Sequence, residues 1–343
     1  MAAPRTAVEF CDVLRSSGLL TNAQLEEISA LAAELALPAA LARKLVELEW
    51  LTGWQAEHLL AGRSGFRIDA YDLLQQLGRG RMGVVYQARK RSTGRIVAIK
   101  IMAPDHVKNP RSVARFLREI RLIASVHHPN VVAAFDAGQL SDKRYFLVTE
   151  YVPGRNLADW LKEESPLPVR WVCQSVLQAA RGLEHTHAQG LLHRDIKPSN
   201  IVAVGDSVDK LPQVKLLDLG LGRFAEAEFE NGDITRDGYS VGTIEYSAPE
   251  QIQNARTVDI RADVYSLGMT AFQLLTGELP FMRETPIASL TAKFVEEPPC
   301  AAKLRSDVPT PLARVISAMM EREPERRPVP NEVVRSLLPF AQF

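Results

Sequence analysis

The sequence predicts an α+β chain built from three consecutive stretches, and three observations lead to it. Residues 1–62 read as helical and carry two helix-start signatures. From Tyr71 to about residue 150, short runs rich in β-branched and aromatic residues dominate, with one helical stretch near 111–126. From Leu157 onward helices dominate, broken by loop-rich segments around residues 193–200 and after residue 218. A chain of 343 residues with 46% hydrophobic side chains is long enough for two domains or one bilobal one.

In the first stretch, Leu20-Thr21-Asn22-Ala23-Gln24 recurs as Leu51-Thr52-Gly53-Trp54-Gln55. Each half is a T-x-x-Q capping box: the threonine hydroxyl satisfies a helix-start amide and the glutamine reaches back. The plain reading is two capped helices. The functional reading is a small helical module that docks on the rest of the chain or on a partner, or self-associates, with Trp50 and Trp54 marking the contact where they are exposed. Residues 63–70, Arg63-Ser64-Gly65-Phe66-Arg67-Ile68-Asp69-Ala70, read as a linker.

The β-rich stretch opens on Leu77-Gly78-Arg79-Gly80-Arg81-Met82-Gly83-Val84-Val85-Tyr86, a G-x-G-x-x-G-x-V pattern. Glycines let backbone approach phosphate oxygens with no Cβ in the way. A dinucleotide fold needs a helix directly after such glycines, whereas Val84-Val85-Tyr86-Gln87-Ala88 is β-type, so the loop closes a hairpin. The absence of a G-K-[ST] ending removes the P-loop reading. Val97-Ala98-Ile99-Lys100 is a strand ending on a lysine. Phe116, Ile120 and Ile123 then fall on one face of a helix that also carries Glu119. Phe146-Leu147-Val148 forms the last strand before Thr149, Glu150, Tyr151 and Val152.

In the third stretch, His193-Arg194-Asp195-Ile196-Lys197-Pro198-Ser199-Asn200 sets a carboxylate, a lysine and an amide at fixed spacing ahead of the apolar run Ile201–Val204. A nucleophilic hydroxyl needs a carboxylate to take or orient its proton, a transferring phosphoryl group needs a cation, and Mg2+ needs oxygen ligands. Asp218-Leu219-Gly220 ends a second apolar strand, Val214–Leu217, and Leu267 to Leu275 is apolar but too short for a membrane span, so it reads as core helix.

This ordered set resembles the eukaryotic-type (Hanks-type) serine/threonine protein kinases over residues 71–338. The resemblance implies the bilobal protein-kinase fold: a small β-rich lobe over 71–150, a large helical lobe over 153–338, and the helical region 1–62 as an N-terminal extension. ATP is then expected between the lobes. Gly78, Gly80 and Gly83 would cover its phosphates, with Leu77, Arg79, Val85 and Ala98 lining the nucleotide site. Lys100 would grip the α- and β-phosphates while paired with Glu119. Thr149 would back the adenine pocket, and the backbone of Glu150 and Val152 would face the base. Asn200 and Asp218 would hold Mg2+, with Mn2+ as the alternative metal. Asp195 would orient the acceptor hydroxyl and Lys197 would neutralise the moving γ-phosphoryl.

The same resemblance makes Gly242-Thr243-Ile244-Glu245-Tyr246 the platform for the substrate peptide, and Asp263-Val264-Tyr265-Ser266-Leu267-Gly268 the buried helix that anchors the catalytic loop. Arg327 would pair with Glu250 of Ala248-Pro249-Glu250 as a buried structural ion pair. Lys197 and Thr243 follow the serine/threonine rather than the tyrosine pattern. Arg194 would meet a phosphate on the activation segment, with Thr235 and Ser240 the candidate autophosphorylation sites ahead of Tyr239. Two departures stand out: Leu219 where the family usually has phenylalanine, and bulky Arg81 inside the glycine loop. They leave a pseudokinase scaffold, recruiting partners through residues 1–62, as the rival. A small-molecule phosphotransferase is disfavoured by Ala248-Pro249-Glu250.

The resemblance implies protein substrates and ATP as partners, and composition agrees without showing it. Lysine plus arginine equals aspartate plus glutamate, which argues against a nucleic-acid binder. Cys11, Cys173 and Cys300 are far apart, as in a reducing compartment. Glu9, Asp12 and Arg15 interrupt the alanine-rich start before a signal peptide's apolar core forms, and no run is long enough to span a membrane. A cytoplasmic, bacterial protein is the expectation.

Overall fold

A computed structural model of the chain describes residues 2–80, 83–103, 120, 122–219, 244–254 and 258–341. It separates into two compact units, one comprising residues 1–110 and 135–151, the other residues 111–134 and 152–343. Phe116, Glu119, Arg81, Gly220, Gly242, Thr243, Thr235, Tyr239 and Ser240 lie outside the described residues.

The first unit begins with four helices: α1 (Ala7–Ser17), α2 (Asn22–Glu34), α3 (Pro38–Glu47) and α4 (Gly53–Leu60). Both expected capping boxes form, on Thr21 with Gln24 and on Thr52 with Gln55. Phe10, Leu14, Ile28, Leu41, Leu45 and Leu59 meet in one buried cluster, the inner stripe that makes short helices stable together.

The sheet follows as β1 (Arg67–Ile68), β2 (Tyr71–Gly80), β3 (Gly83–Lys90), β4 (Ile96–Met102), β5 (Ala134–Gln139) and β6 (Tyr145–Glu150), in the order β1-β2-β3-β4-β6-β5. Two details go beyond the sequence reading. Residues 63–70 are not a bare linker: Arg67 and Ile68 pair antiparallel with β2, and Phe66 is buried in the helical cluster. The tryptophans, expected at a contact only where exposed, face inward, with Trp54 against the sheet of the same unit. Trp50 and Trp54 are half-buried against the helical cluster, and the Trp54 ring lies 5.6 Å from Phe66 and 5.8 Å from Tyr86 of β3.

The reason is a bulge in β2. Its register against β3 shifts between Leu73 and Gln75, leaving Leu74 as the extra residue. The second capping box meets the carbonyls there: Thr52 Oγ1 donates to Leu74 O at 2.5 Å and Gln55 Nε2 donates to Leu73 O at 2.6 Å. Gln55 therefore serves the helix cap and the sheet at once, whereas the Thr21–Gln24 box is exposed. Gln55→Leu is expected to cost about 1–3 kcal/mol, because a cap acceptor is lost and a buried carbonyl loses its donor. Gln24→Leu should cost only about 0.5–1 kcal/mol. Chemical denaturation of the two variants beside the wild type checks the difference.

In the second unit, α5 (Leu157–Glu163) and the long α6 (Val169–Ala188) precede β8 (Ile201–Val204) and β9 (Gln213–Leu216), which join β7 (Arg155–Asn156) in a three-stranded sheet. Then come α7 (Pro249–Gln253), α8 (Ile260–Thr276), α9 (Pro286–Val295), α10 (Ala301–Leu304), α11 (Thr310–Met319) and α12 (Pro330–Ala341). The run Leu267 to Leu275 lies inside α8 and is buried nearly all round, as an apolar run of that length in a core helix should be. Trp160 and Trp171 lock α5 against α6. Asn130 ties the start of this unit to its sheet, donating to Gln178 Oε1 and Val214 O. Among the described residues no helix is long and apolar enough to cross a membrane.

Candidate active site

The sheet of the first unit brings most of the expected nucleotide residues onto one face. Antiparallel partners share a face, and residues two apart along a strand share it too. Gly78 pairs with Val85, Val85 with Lys100, Gly80 with Gly83, and Ala98 with Thr149. Gly78, Gly80, Gly83, Val85, Ala98, Lys100 and Thr149 therefore line one side. Val97, Ile99 and Ile101 fill the apolar core on the other side with Leu73, Ala88, Phe146 and Val148. Leu77 sits at a second β2 irregularity, between Gln76 and Gly78, and Arg79 has the opposite parity to Gly78. Glu150 pairs with Val97, so its side chain also points away from that row. Gly83 is required as glycine: its φ is +141°, and a Cβ there would stand 1.9 Å from Ile101 O.

In the second unit the catalytic-loop candidates converge by themselves. Lys197 Nζ lies 2.9 Å from Asp195 Oδ1, and Asn200 Nδ2 donates to Asp195 Oδ2 at 2.9 Å and to Asp195 O at 2.7 Å. Their side chains are mostly shielded, so the Lys197–Asp195 attraction is stronger than for a surface pair. A 3-10 turn over Pro198–Asn200 carries the chain into β8, where proline suits the first position because its missing N–H is unneeded.

The loop is held from beneath by Asp263 of α8. This fully buried carboxylate accepts from His193 N at 2.8 Å, Arg194 N at 2.7 Å and His187 Nε2 at 2.7 Å. Burial alone would raise its carboxyl, but the bond from His187 and the nearby imidazoles outweigh that and hold it below the usual carboxylate range. Gln251 Nε2 adds a bond to Arg194 O at 2.8 Å. Arg194 and Asp218 both adopt positive φ, 66° and 54°, a conformation that non-glycine residues hold only when their surroundings over-determine it.

Asp218 is brought to the loop through backbone and imidazole bonds. His193 Nε2 donates to Leu217 O at 2.7 Å, Leu217 N donates to Asn200 O at 2.9 Å, and β8 pairs Ile201 with Leu216. An asparagine amide oxygen and one carboxylate at the same end of this pair are a hard, oxygen-only donor set, which suits Mg2+ sharing its other positions with water and phosphate oxygens. Leu219 is buried.

Downstream, Arg327 and Glu250 form the expected pair at 2.6 and 2.8 Å, with the arginine side chain fully buried. The segment before it, Ile244–Ser247, hangs on a residue that the sequence reading passed over. Lys293 of α9 donates to Ile244 O at 2.8 Å, Glu245 O at 2.5 Å and Ser247 O at 3.1 Å. Burial pulls its amine down to about 7, against the opposing attraction of Glu245. Lys293, Gln251 and His187 were all missed, because each acts through a contact far away in sequence. The only local signal was Gln251 lying next to Ala248-Pro249-Glu250.

The description "Protein kinase domain" fits residues 71–338 of the chain. Among curated relatives, the serine/threonine-protein kinase Pkn1 of Myxococcus xanthus is 37% identical over 81% of this chain and 39% of its own length. The serine/threonine-protein kinase pkn3 of the same organism is 34% identical over 76% of this chain and 48% of its own. PknB of Mycolicibacterium smegmatis is 34% identical, again over 76% of this chain and 41% of its own. The chain thus spans less than half the length of these relatives. The crystal structure of the Mycobacterium tuberculosis PknI kinase domain superposes with a TM-score of 0.63 at 27% identity, covering 81% of this chain and 99% of that one.

Proposed function

The chain belongs to the protein kinase family, and on that premise we propose that it is a serine/threonine protein kinase moving the γ-phosphoryl of ATP to protein hydroxyls. The observation that carries the proposal is the Asp195, Lys197 and Asn200 cluster, anchored by Asp263. In the step itself the acceptor hydroxyl oxygen forms a bond to the γ-phosphorus. The bond from that phosphorus to the β–γ bridging oxygen breaks, and its electron pair leaves with ADP. Asp195 orients the hydroxyl and takes its proton. Lys197 offsets the charge on the moving phosphoryl, and Lys100, with Glu119 as its expected partner, holds the α- and β-phosphates. Mg2+ on Asn200 and Asp218 would supply charge neutralisation at the phosphate oxygens, with Mn2+ an alternative. Positioning and preorganised electrostatics carry most of the rate.

Thr243, with Lys197, supports serine and threonine as acceptors. Autophosphorylation at Thr235 or Ser240 would give Arg194 a charge-assisted partner and order the segment. Three free cysteines together with the need for ATP favour the cytoplasm. Residues 1–62 dock on β2 within the first unit, so a role in recruiting a partner, or in self-association, falls to their outward face. The test is incubation with labelled Mg-ATP and a generic basic protein, followed by phosphoamino-acid analysis. Label on serine or threonine supports the assignment. A chain that binds Mg-ATP and transfers nothing would instead be the pseudokinase scaffold.

A further inference from the structure

We propose that Lys293 is a positioning residue for the protein acceptor: its ammonium fixes the Ile244–Ser247 backbone in the shape that receives the substrate peptide. The inference rests on the kinase reading and deepens it. Three carbonyls face Nζ at 2.8, 2.5 and 3.1 Å, and an ammonium has three N–H groups to give them. Carbonyl oxygens only accept, so three of them converging on one point require a donor rich in hydrogens. An apolar side chain at 293 would take this donor from all three, of which Ser247 O is buried and Ile244 O keeps the longer bond from Ser247 N at 3.2 Å.

The surroundings fit a tether better than a surface charge that happens to be covered. Lys293 is 4% exposed, and burying an amine is costly unless its bonds are specific. Its Nζ lies 5.8 Å from the centre of the Tyr265 ring, and the Arg327 guanidinium lies 4.8 Å from the same ring. Tyr265 therefore couples two cations that act on one continuous stretch: Arg327 holds Glu250, and Lys293 holds residues 244, 245 and 247. Tyr246, between the tethered carbonyls, is fixed separately by its hydroxyl on Gln273 Oε1. With Tyr246 and Glu250 anchored by other elements, losing Lys293 loosens the backbone between them without releasing the segment. That is the signature of positioning, distinct from global stability.

The amine also gives the tether a pH dependence. The titratable and charged groups around it are Glu245, Tyr265, and beyond that ring Arg327 with Glu250. Above its depressed value, near 7, the neutral amine has two N–H groups for three carbonyls. Platform order should therefore fall as pH rises through that value.

The experiment is steady-state kinetics of the full chain with a generic basic protein as acceptor, comparing wild type, Lys293→Met and Lys293→Arg. Lys293→Met should raise KM for the acceptor roughly tenfold while kcat and KM for ATP stay within about twofold. Lys293→Arg, which keeps buried donors, should recover most of that loss and flatten the alkaline rise in acceptor KM. Where Lys293→Met shows no cooperative thermal transition, Lys293→Gln, which keeps two donors, takes its place with a smaller rise of the same kind. Parallel losses in ATP and acceptor parameters, or an unchanged acceptor KM in folded variants of an active enzyme, would overturn this inference alone. A wild-type chain that transfers nothing to any acceptor would overturn the kinase reading and this inference together.

Discussion

Asp263→Ala should lower the stability of the second unit by more than about 3 kcal/mol and cut phosphoryl transfer at least a hundredfold. The carboxylate takes three donors in a fully buried position, and two of them are the backbone amides of His193 and Arg194. Each buried donor left unpaired costs about 1–3 kcal/mol. The catalytic effect follows from the same bonds: they hold Arg194 at positive φ and so aim Asp195, the next residue. A displacement near 1 Å in a reacting group costs about a hundredfold in rate. Asp263→Asn keeps one acceptor oxygen and should lose less on both counts. Urea unfolding with single-turnover kinetics on both variants checks the order, and an Asp263→Ala protein of wild-type rate would contradict it.

Arg327→Met should be the most destabilising single change in the remainder of the chain, costing about 3–5 kcal/mol. All five guanidinium N–H groups are used. Nε donates to Glu321 O, Nη1 to Glu250 Oε1 and Arg261 O, and Nη2 to Glu250 Oε2 and Arg322 O. Lysine has three donors and no planar fork, so Arg327→Lys should also fail to restore the site. Glu250→Gln should cost less than Arg327→Met, because the Glu250 side chain retains about a fifth of its exposure while that of Arg327 has none. The double variant Arg327→Met with Glu250→Leu should lose less than the sum of the single changes, since removing both charges leaves neither buried alone. Denaturant midpoints measure this directly. Additive losses would show that the pair is not coupled.

The parts of the site that were legible in the sequence are those written in consecutive residues. Asp195, Lys197 and Asn200 sit within one loop and each T-x-x-Q box within four residues, so their local geometry follows from spacing, whereas the Glu250–Arg327 pair, 77 residues apart, was expected only from the family resemblance. The shared face of Gly78, Val85, Ala98, Lys100 and Thr149 was expected from the family resemblance, and its geometry follows once the pairing register is added to strand alternation. What stayed hidden depends on contacts between distant segments. Nothing near Lys293 distinguishes it from a solvated helix lysine until the backbone of 244–247 is laid over it. Residues 63–70 looked like a linker because two paired residues are too few for a strand pattern. Trp54 read as a contact residue toward either the rest of the chain or a partner, and the β2 bulge that gives its helix a partner within the same unit is invisible in the sequence.

The account as a whole rests on Asp195 handling the proton of an acceptor hydroxyl beside bound nucleotide, and Asp195→Asn tests it most directly. Transfer of labelled phosphate from Mg-ATP to a basic protein should fall by about 10²–10⁴-fold in that variant, while its Mg-ATP affinity stays close to wild type. Transfer at the wild-type rate by Asp195→Asn would contradict the account.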